Sequence, residues 1–91
     1  MNKPKNKVLA ENLLYIRKYF SLTQNDMFEE IRGANCTNRS DISRFESAKK
    51  TPEPDILKNY KDFIERQGSY RVIIDDLLSE NFALPDSKAK K

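Results

Sequence analysis

An all-α domain of five short helices is the fold class predicted by the 91-residue sequence. Three observations lead there. Apolar residues recur at spacings of three and four along nearly every segment, which is the period of an amphipathic helix. No stretch alternates apolar and polar residues with the period that a half-buried strand needs, and no internal repeat is visible. Residues that start or stop helices, among them Thr23, Asn38, Pro52, Pro54 and Gly68, stand between the periodic stretches. Only 37% of the residues are hydrophobic and 34% are charged, so each element has one stripe to bury, a demand that short helices meet. A single domain is expected, since domains commonly run to about 100–150 residues.

The first helix is expected over residues 8–20, where Val8, Leu9, Leu13, Tyr15, Ile16, Tyr19 and Phe20 alternate with Glu11, Asn12, Arg17 and Lys18. Ser21 and Leu22 interrupt it. Thr23 followed by Asp26 reads as an N-cap with an acidic capping box, opening a second helix that runs to Ile31 with Met27 and Ile31 inward. Residues 32–37 have no apolar period and contain Gly33 and Asn35, the residue types that accept a left-handed backbone, so they form a turn. Asn38, with Asp41 three positions on, caps a third helix whose Ile42 and Phe45 face inward and whose Arg39, Ser40, Ser43, Arg44 and Ser47 face outward.

Pro52 and Pro54 break the chain and mark a new start, because proline is tolerated in a helix's first turn. The fourth helix then runs to about Arg66, with Ile56, Leu57, Tyr60, Phe63 and Ile64 on its apolar face and Gly68 at its end. Ser69 is placed to cap a last helix carrying Tyr70, Ile73, Ile74, Leu77 and Leu78 on one side, with Phe82 and Leu84 beyond. The expected organisation is a flexible basic segment over residues 1–7, the helical domain over 8–84 and a flexible basic tail over 85–91.

Composition narrows the function classes. The net charge is +3, and the basic residues Arg32, Arg39, Arg44, Lys49 and Lys50 follow the acidic Asp26, Glu29 and Glu30, so charge is polarised along the fold. Cys36 is the lone cysteine, which rules out an internal disulfide and reads as an inert turn residue of a chain in a reducing, cytoplasmic compartment. No apolar run approaches the ~18 residues of a membrane span, so no membrane partner is expected. The absence of histidine and of a Gly-rich phosphate loop leaves no enzyme, metal, cofactor or small-molecule reading.

In order along residues 12–65, several pieces resemble the Cro and lambda-repressor-like helix-turn-helix family of the Xre type. Leu14-Tyr15-Ile16-Arg17 is similar to the family's first-helix end, and Ser21-Leu22-Thr23-Gln24 to its glycine-like turn followed by Thr-Gln. Asp41-Ile42-Ser43-Arg44-Phe45-Glu46 is similar to its recognition helix, and Thr51-Pro52 to the proline opening its fourth helix. The resemblance implies a five-helix DNA-binding domain, a salt bridge between Arg17 and Glu46, and a phosphate contact from Gln24. The chain departs from the pattern in three places. Its turn is longer than the usual helix-turn-helix connection by roughly four residues. Phe28 stands where the family prefers a small residue, a change that a longer turn accommodates, and Ala48 replaces the glycine after the recognition helix.

Arg39, Ser40, Ser43 and Arg44 are the expected base contacts, because a helix entering the major groove needs long or polar outward side chains, and arginine matches guanine with two donors. Gln24, Asn38, Lys49 and Lys50 are the expected phosphate contacts, which position the domain without reading sequence. The bland alternative for all of these is an ordinary solvated surface. The C-terminal stripe either closes the monomer core or, through Ile74, Leu77, Leu78 and Phe82, forms a homodimer whose recognition helices stand about 34 Å apart on a pseudo-palindrome. The function expected is a sequence-specific double-stranded-DNA-binding transcriptional regulator, a repressor of phage or mobile-element type. The alternative is a protein-interaction module such as an antitoxin-like or adaptor protein.

Overall fold

Among the described residues of the computed structural model five helices follow one another: α1 (Lys5–Tyr19), α2 (Gln24–Ile31), α3 (Ser40–Glu46), α4 (Pro54–Arg66) and α5 (Ile74–Leu77). The structure describes residues 5–68, 72 and 74–84, so the tail expected over 85–91, residues 1–4, and Ser69, Tyr70 and Ile73 lie outside it. Among the described residues the fold is all-α, and no strand is present beyond one isolated bridge between Gly33 and Cys36. Because α1 begins at Lys5, the basic segment expected to be flexible through residue 7 is helical over its last part.

Helix α1 packs on α3, α2 on both α3 and α4, and α5 on α4 and α1. The shared interior is built from Leu13 and Ile16 of α1, Met27 and Ile31 of α2, Ile42 and Phe45 of α3, and Ile56, Tyr60 and Ile64 of α4. Each such aliphatic or aromatic side chain contributes about 1.5–3 kcal/mol by leaving water, so a small core of one-stripe helices is enough. Phe28 joins this core, and the Arg32 guanidinium covers its ring at 5.1 Å from the centroid. Cys36, expected as a turn residue, lies wholly inside.

The helix boundaries have local causes. Thr23 closes a complete capping box: its hydroxyl accepts from the Asp26 N–H at 3.0 Å, and the Asp26 carboxylate accepts from the Thr23 N–H at 3.1 Å. Two orphan amides are thereby satisfied. Helix α4 starts at Pro54, where the missing N–H costs nothing. At the end of α1, the Leu22 N–H donates to Arg17 O and the Ser21 N–H to Lys18 O, with Ser21 at φ 59°. The end of α3 repeats this arrangement: Lys49 N–H donates to Arg44 O and Ala48 N–H to Phe45 O, with Ala48 at φ 64°. Both are Schellman closures, in which a left-handed residue lets two amides turn back onto the last carbonyls. Glycine fills that place at least strain, and here serine and alanine fill it.

The α2–α3 connection is closed without a left-handed residue, contrary to the expectation from Gly33 and Asn35. Gly33 and Cys36 instead exchange reciprocal backbone hydrogen bonds of 3.1 and 3.0 Å. Glycine at position 33 lets α4 come close: a Cβ there would stand 3.3 Å from Asn59 Nδ2, so that side chain would have to shift by a few tenths of an ångström, and at ordinary contact, 3.5 Å, from Ile56 Cδ1. Asn59 donates to Ile31 O at 2.9 Å and Asn35 to the Asp55 carboxylate at 3.0 Å, so the end of α2 and the middle of the loop are both fastened to α4.

The last helix is far shorter than its apolar stripe predicts, a single turn of four residues. Val72, inside the expected helix, is buried and non-helical, and its N–H donates to the Glu65 carboxylate at 3.2 Å. A side chain of α4 thus takes the amide, and of the described apolar residues that follow, Leu77 and Leu84 are buried while Ile74, Leu78 and Phe82 are half-buried against the core. Leu77 is 0% exposed, and the carbonyls of Leu77 and Ser79 each accept from the Asn12 side-chain amide at 2.9 Å. Leu77 is therefore a core residue of the chain and is removed from the expected dimer contacts.

Candidate nucleic-acid interface

Helix α3 is seven residues long and has two unlike sides. Ile42 and Phe45 are fixed in the core, while Ser40, Ser43 and Arg44, together with Arg39 just before the helix, are exposed. Lys49 and Lys50 are exposed beyond its C-terminus. Four cations thus share one short stretch of surface around α3. Arg39 and Lys49 enter no ion pair among the described residues, whereas Arg44 and Lys50 do.

Their common partner is Asp41, a buried carboxylate with 7% of its side chain exposed. Asp41 Oδ1 accepts from Arg44 Nη1 at 3.1 Å and from Lys50 Nζ at 3.2 Å. A carboxylate withdrawn from water needs such compensation, and two cations supply it. Arg44 Nη1 also donates to Ser40 Oγ at 3.1 Å, and that hydroxyl in turn donates to Asn38 Oδ1 at 2.9 Å. Asn38 Oδ1 further accepts from the Ser40 N–H at 3.0 Å, so Asn38 tethers the start of α3 two residues ahead. The capping box expected between Asn38 and Asp41 is not formed: Asp41 faces Arg44 and Lys50 instead. Lys50 lies over the Phe45 ring, 5.9 Å from its centroid.

The other end of α3 is locked to α1. Arg17 Nε donates to Glu46 Oε2 at 2.7 Å and Nη2 to Oε1 at 2.9 Å, while Nη1 donates to Leu22 O at 2.9 Å. The hydrogen bond to Glu46 holds the Arg17 guanidinium more firmly protonated than usual. Gln24, expected to face a phosphate, is half-buried and turned inward, its side-chain amide donating to Glu46 Oε1 at 3.3 Å. It belongs to the structural pair and not to the free surface.

The remaining expected site residues lie elsewhere. Ile74, Leu78 and Phe82 are half-buried against the core, and Phe82 meets Tyr15 edge-on at 5.8 Å between centroids. Cys36 is remote from solvent, and burial raises its thiol to about 11, which keeps it protonated and unreactive. Tyr60 is pushed up by the same cause, and its hydroxyl finds no hydrogen-bond partner among the described residues. Sequence reasoning took Asp41 for a capping acid. The signal it passed over is the spacing of Asp41 and Arg44, which places the two side chains on one face of a helix.

No protein-family model matches the chain, and no solved structure matches it. A curated protein, the extracellular serine/threonine protein kinase CeFam20 of Caenorhabditis elegans, is 29% identical over 84 residues, 89% of this chain. The matched stretch is 16% of the kinase, so the chain spans about a sixth of that protein's length. Among the described residues no helix is long and apolar enough to cross a membrane.

Proposed function

We propose that the protein is a sequence-specific binder of double-stranded DNA, with α2 and α3 as a helix-turn-helix of the Cro and lambda-repressor-like type and α3 as the recognition helix. The observation that carries this reading is the two-sidedness of α3: Ile42 and Phe45 are buried while Arg39, Ser43 and Arg44 are exposed, with Lys49 and Lys50 beside them. A helix held by one face and bearing long donors on the other meets the requirement for reading base edges in the major groove. Arg39, Ser43 and Arg44 are the base contacts of this proposal, and Lys49 and Lys50 the phosphate contacts. The protein acts as a cytoplasmic transcriptional regulator that represses by occupying an operator, as a homodimer with Ile74, Leu78 and Phe82 at its interface, and without catalysis.

Selection of duplexes from a random pool tests this, with affinity then measured against salt. A preferred sequence with approximate two-fold symmetry is expected, and binding should weaken steeply between about 50 and about 200 mM salt. Absence of any preferred duplex, or a flat salt dependence, would remove the proposal. A second reading, a helical interaction module carried in a larger protein, is favoured by the similarity to a stretch of the much longer kinase. It gains if duplex DNA does not bind.

A further inference from the structure

We infer that Asp41 and Ser40 set the specificity of the proposed DNA-reading surface without touching DNA, by fixing one edge of the Arg44 guanidinium and leaving the other edge aimed at a guanine. This rests on the DNA-binding reading above and deepens it. Arg44 is half-exposed, yet its Nη1 is held on two sides, by Asp41 Oδ1 at 3.1 Å and by Ser40 Oγ at 3.1 Å. Neither anchor is itself loose. Asp41 is 5% exposed and is also held by Lys50, and Ser40 is tied to Asn38 Oδ1 through both its hydroxyl and its backbone N–H. The chain of contacts Asn38, Ser40, Arg44, Asp41, Lys50 therefore runs from the start of α3 to the segment beyond its end.

What remains free is informative. Among the described residues nothing engages Arg44 Nε or Nη2. Those two N–H groups form a planar two-donor fork, and the major-groove edge of guanine offers two acceptors, N7 and O6, at matching separation. A phosphate accepts the same fork from many directions, whereas a base edge demands one. Holding Nη1 in advance fixes the plane and leaves less side-chain freedom to lose on binding. Ser40 accordingly moves from the expected base contacts to a positioning residue, because its hydroxyl donates to Asn38 Oδ1 and accepts from Arg44, while Asn38 anchors Ser40 through Oδ1 and keeps its Nδ2 donors for the expected phosphate contact.

Charge gives the inference a signature that a merely structural role lacks. Asp41 is an anion within a surface that must meet phosphates, so its removal favours binding to any duplex while loosening the reader. The test takes the full chain, the best duplex selected from a random pool, and copies of it with each G·C pair replaced in turn. Arg44→Ala should flatten the preference at one guanine position. Asp41→Asn and Ser40→Ala should flatten it at that same position by about tenfold, with Asp41→Asn binding random duplex at least as tightly as the parent. Ser40→Thr, which keeps the hydroxyl, should restore the preference.

A DNA-free measurement separates the two layers. Nuclear spin relaxation of the Arg44 Nε–H group should report an ordered side chain in the free parent protein and a mobile one in Ser40→Ala. An Arg44 side chain already mobile in the parent overturns the inference whatever DNA does. So does an unchanged guanine preference in Asp41→Asn and Ser40→Ala, and there the DNA-binding reading survives. If no duplex is preferred while Arg44 is ordered, the DNA-binding reading fails, and the assignment of a guanine falls with it. Should Asp41→Asn fail to fold, the Ser40→Ala and Ser40→Thr pair, altered on an exposed residue, decides the matter.

Discussion

The two carboxylates of α3 are equally shielded, Asp41 with 7% and Glu46 with 5% of the side chain exposed, yet they serve opposite sides of the molecule. Glu46 takes a two-pronged bond from an arginine that is itself only 14% exposed, and the result is a weld between α1 and α3. Asp41 holds Arg44 and Lys50, which are 52% and 45% exposed, and the result is a pair of cations kept in place on the free surface. Shielding of the acid alone therefore says little about what an ion pair does. The exposure of the cation decides: where both partners leave water the pair fixes structure, and where only the acid does the pair presents charge.

The contrast can be broken most directly at Glu46. Glu46→Gln strands the Arg17 guanidinium in a dry site without its counter-charge and should cost about 3 kcal/mol in urea unfolding. Asp41→Asn, by the same measurement, should cost ~1 kcal/mol or less, because Arg44 and Lys50 can turn to solvent. Equal losses from the two substitutions would abolish the distinction. Smaller gains are expected at the two helix ends, where Ser21→Gly and Ala48→Gly relieve left-handed serine and alanine, each by about 0.5 kcal/mol after the greater freedom of glycine in the unfolded chain is subtracted. A gain at only one end would mean that the two closures are not equivalent.

The smallest effect concerns pH. The Glu65 carboxylate is held below its ordinary value of 4.5, first by the Val72 N–H and then by Lys61. A carboxylate with a lowered value in the folded state stabilises the fold above its unfolded value, and that contribution fades as pH falls through the folded one. Acidification below 4.5 should therefore loosen the Val72 attachment to α4 ahead of the core, seen as early loss of amide protection at Val72 in hydrogen exchange. Protection at Val72 that persists until global unfolding would contradict this.

Much of the fold was legible because its causes are local. Thr23 with Asp26 and the proline at position 54 announce helix starts through satisfied or missing amides, and the apolar stripes of α1, α2 and α4 name their own inward residues. The surface residues of α3 were legible for the same reason, since Ile42 and Phe45 fix which side faces in. What escaped depends on distant partners. The Val72 N–H is taken by Glu65, Gly33 stands close beneath Asn59 of α4, and the Gln24 side chain donates to Glu46. In each case a side chain remote in sequence, or on a different element, outbids the local preference.

Asn12 gives the end of the described chain a meaning for deletion experiments. Both of its amide hydrogens are committed to carbonyls at Leu77 and Ser79, and Tyr15 on the next turn accepts the Leu84 N–H at 2.9 Å. A shortened protein stopping near Gly68 would uncover the flank of α1 and leave a nearly buried carboxamide without acceptors. Loss of binding after such trimming would then report a collapsed scaffold, and would imitate the phenotype of a severed subunit contact.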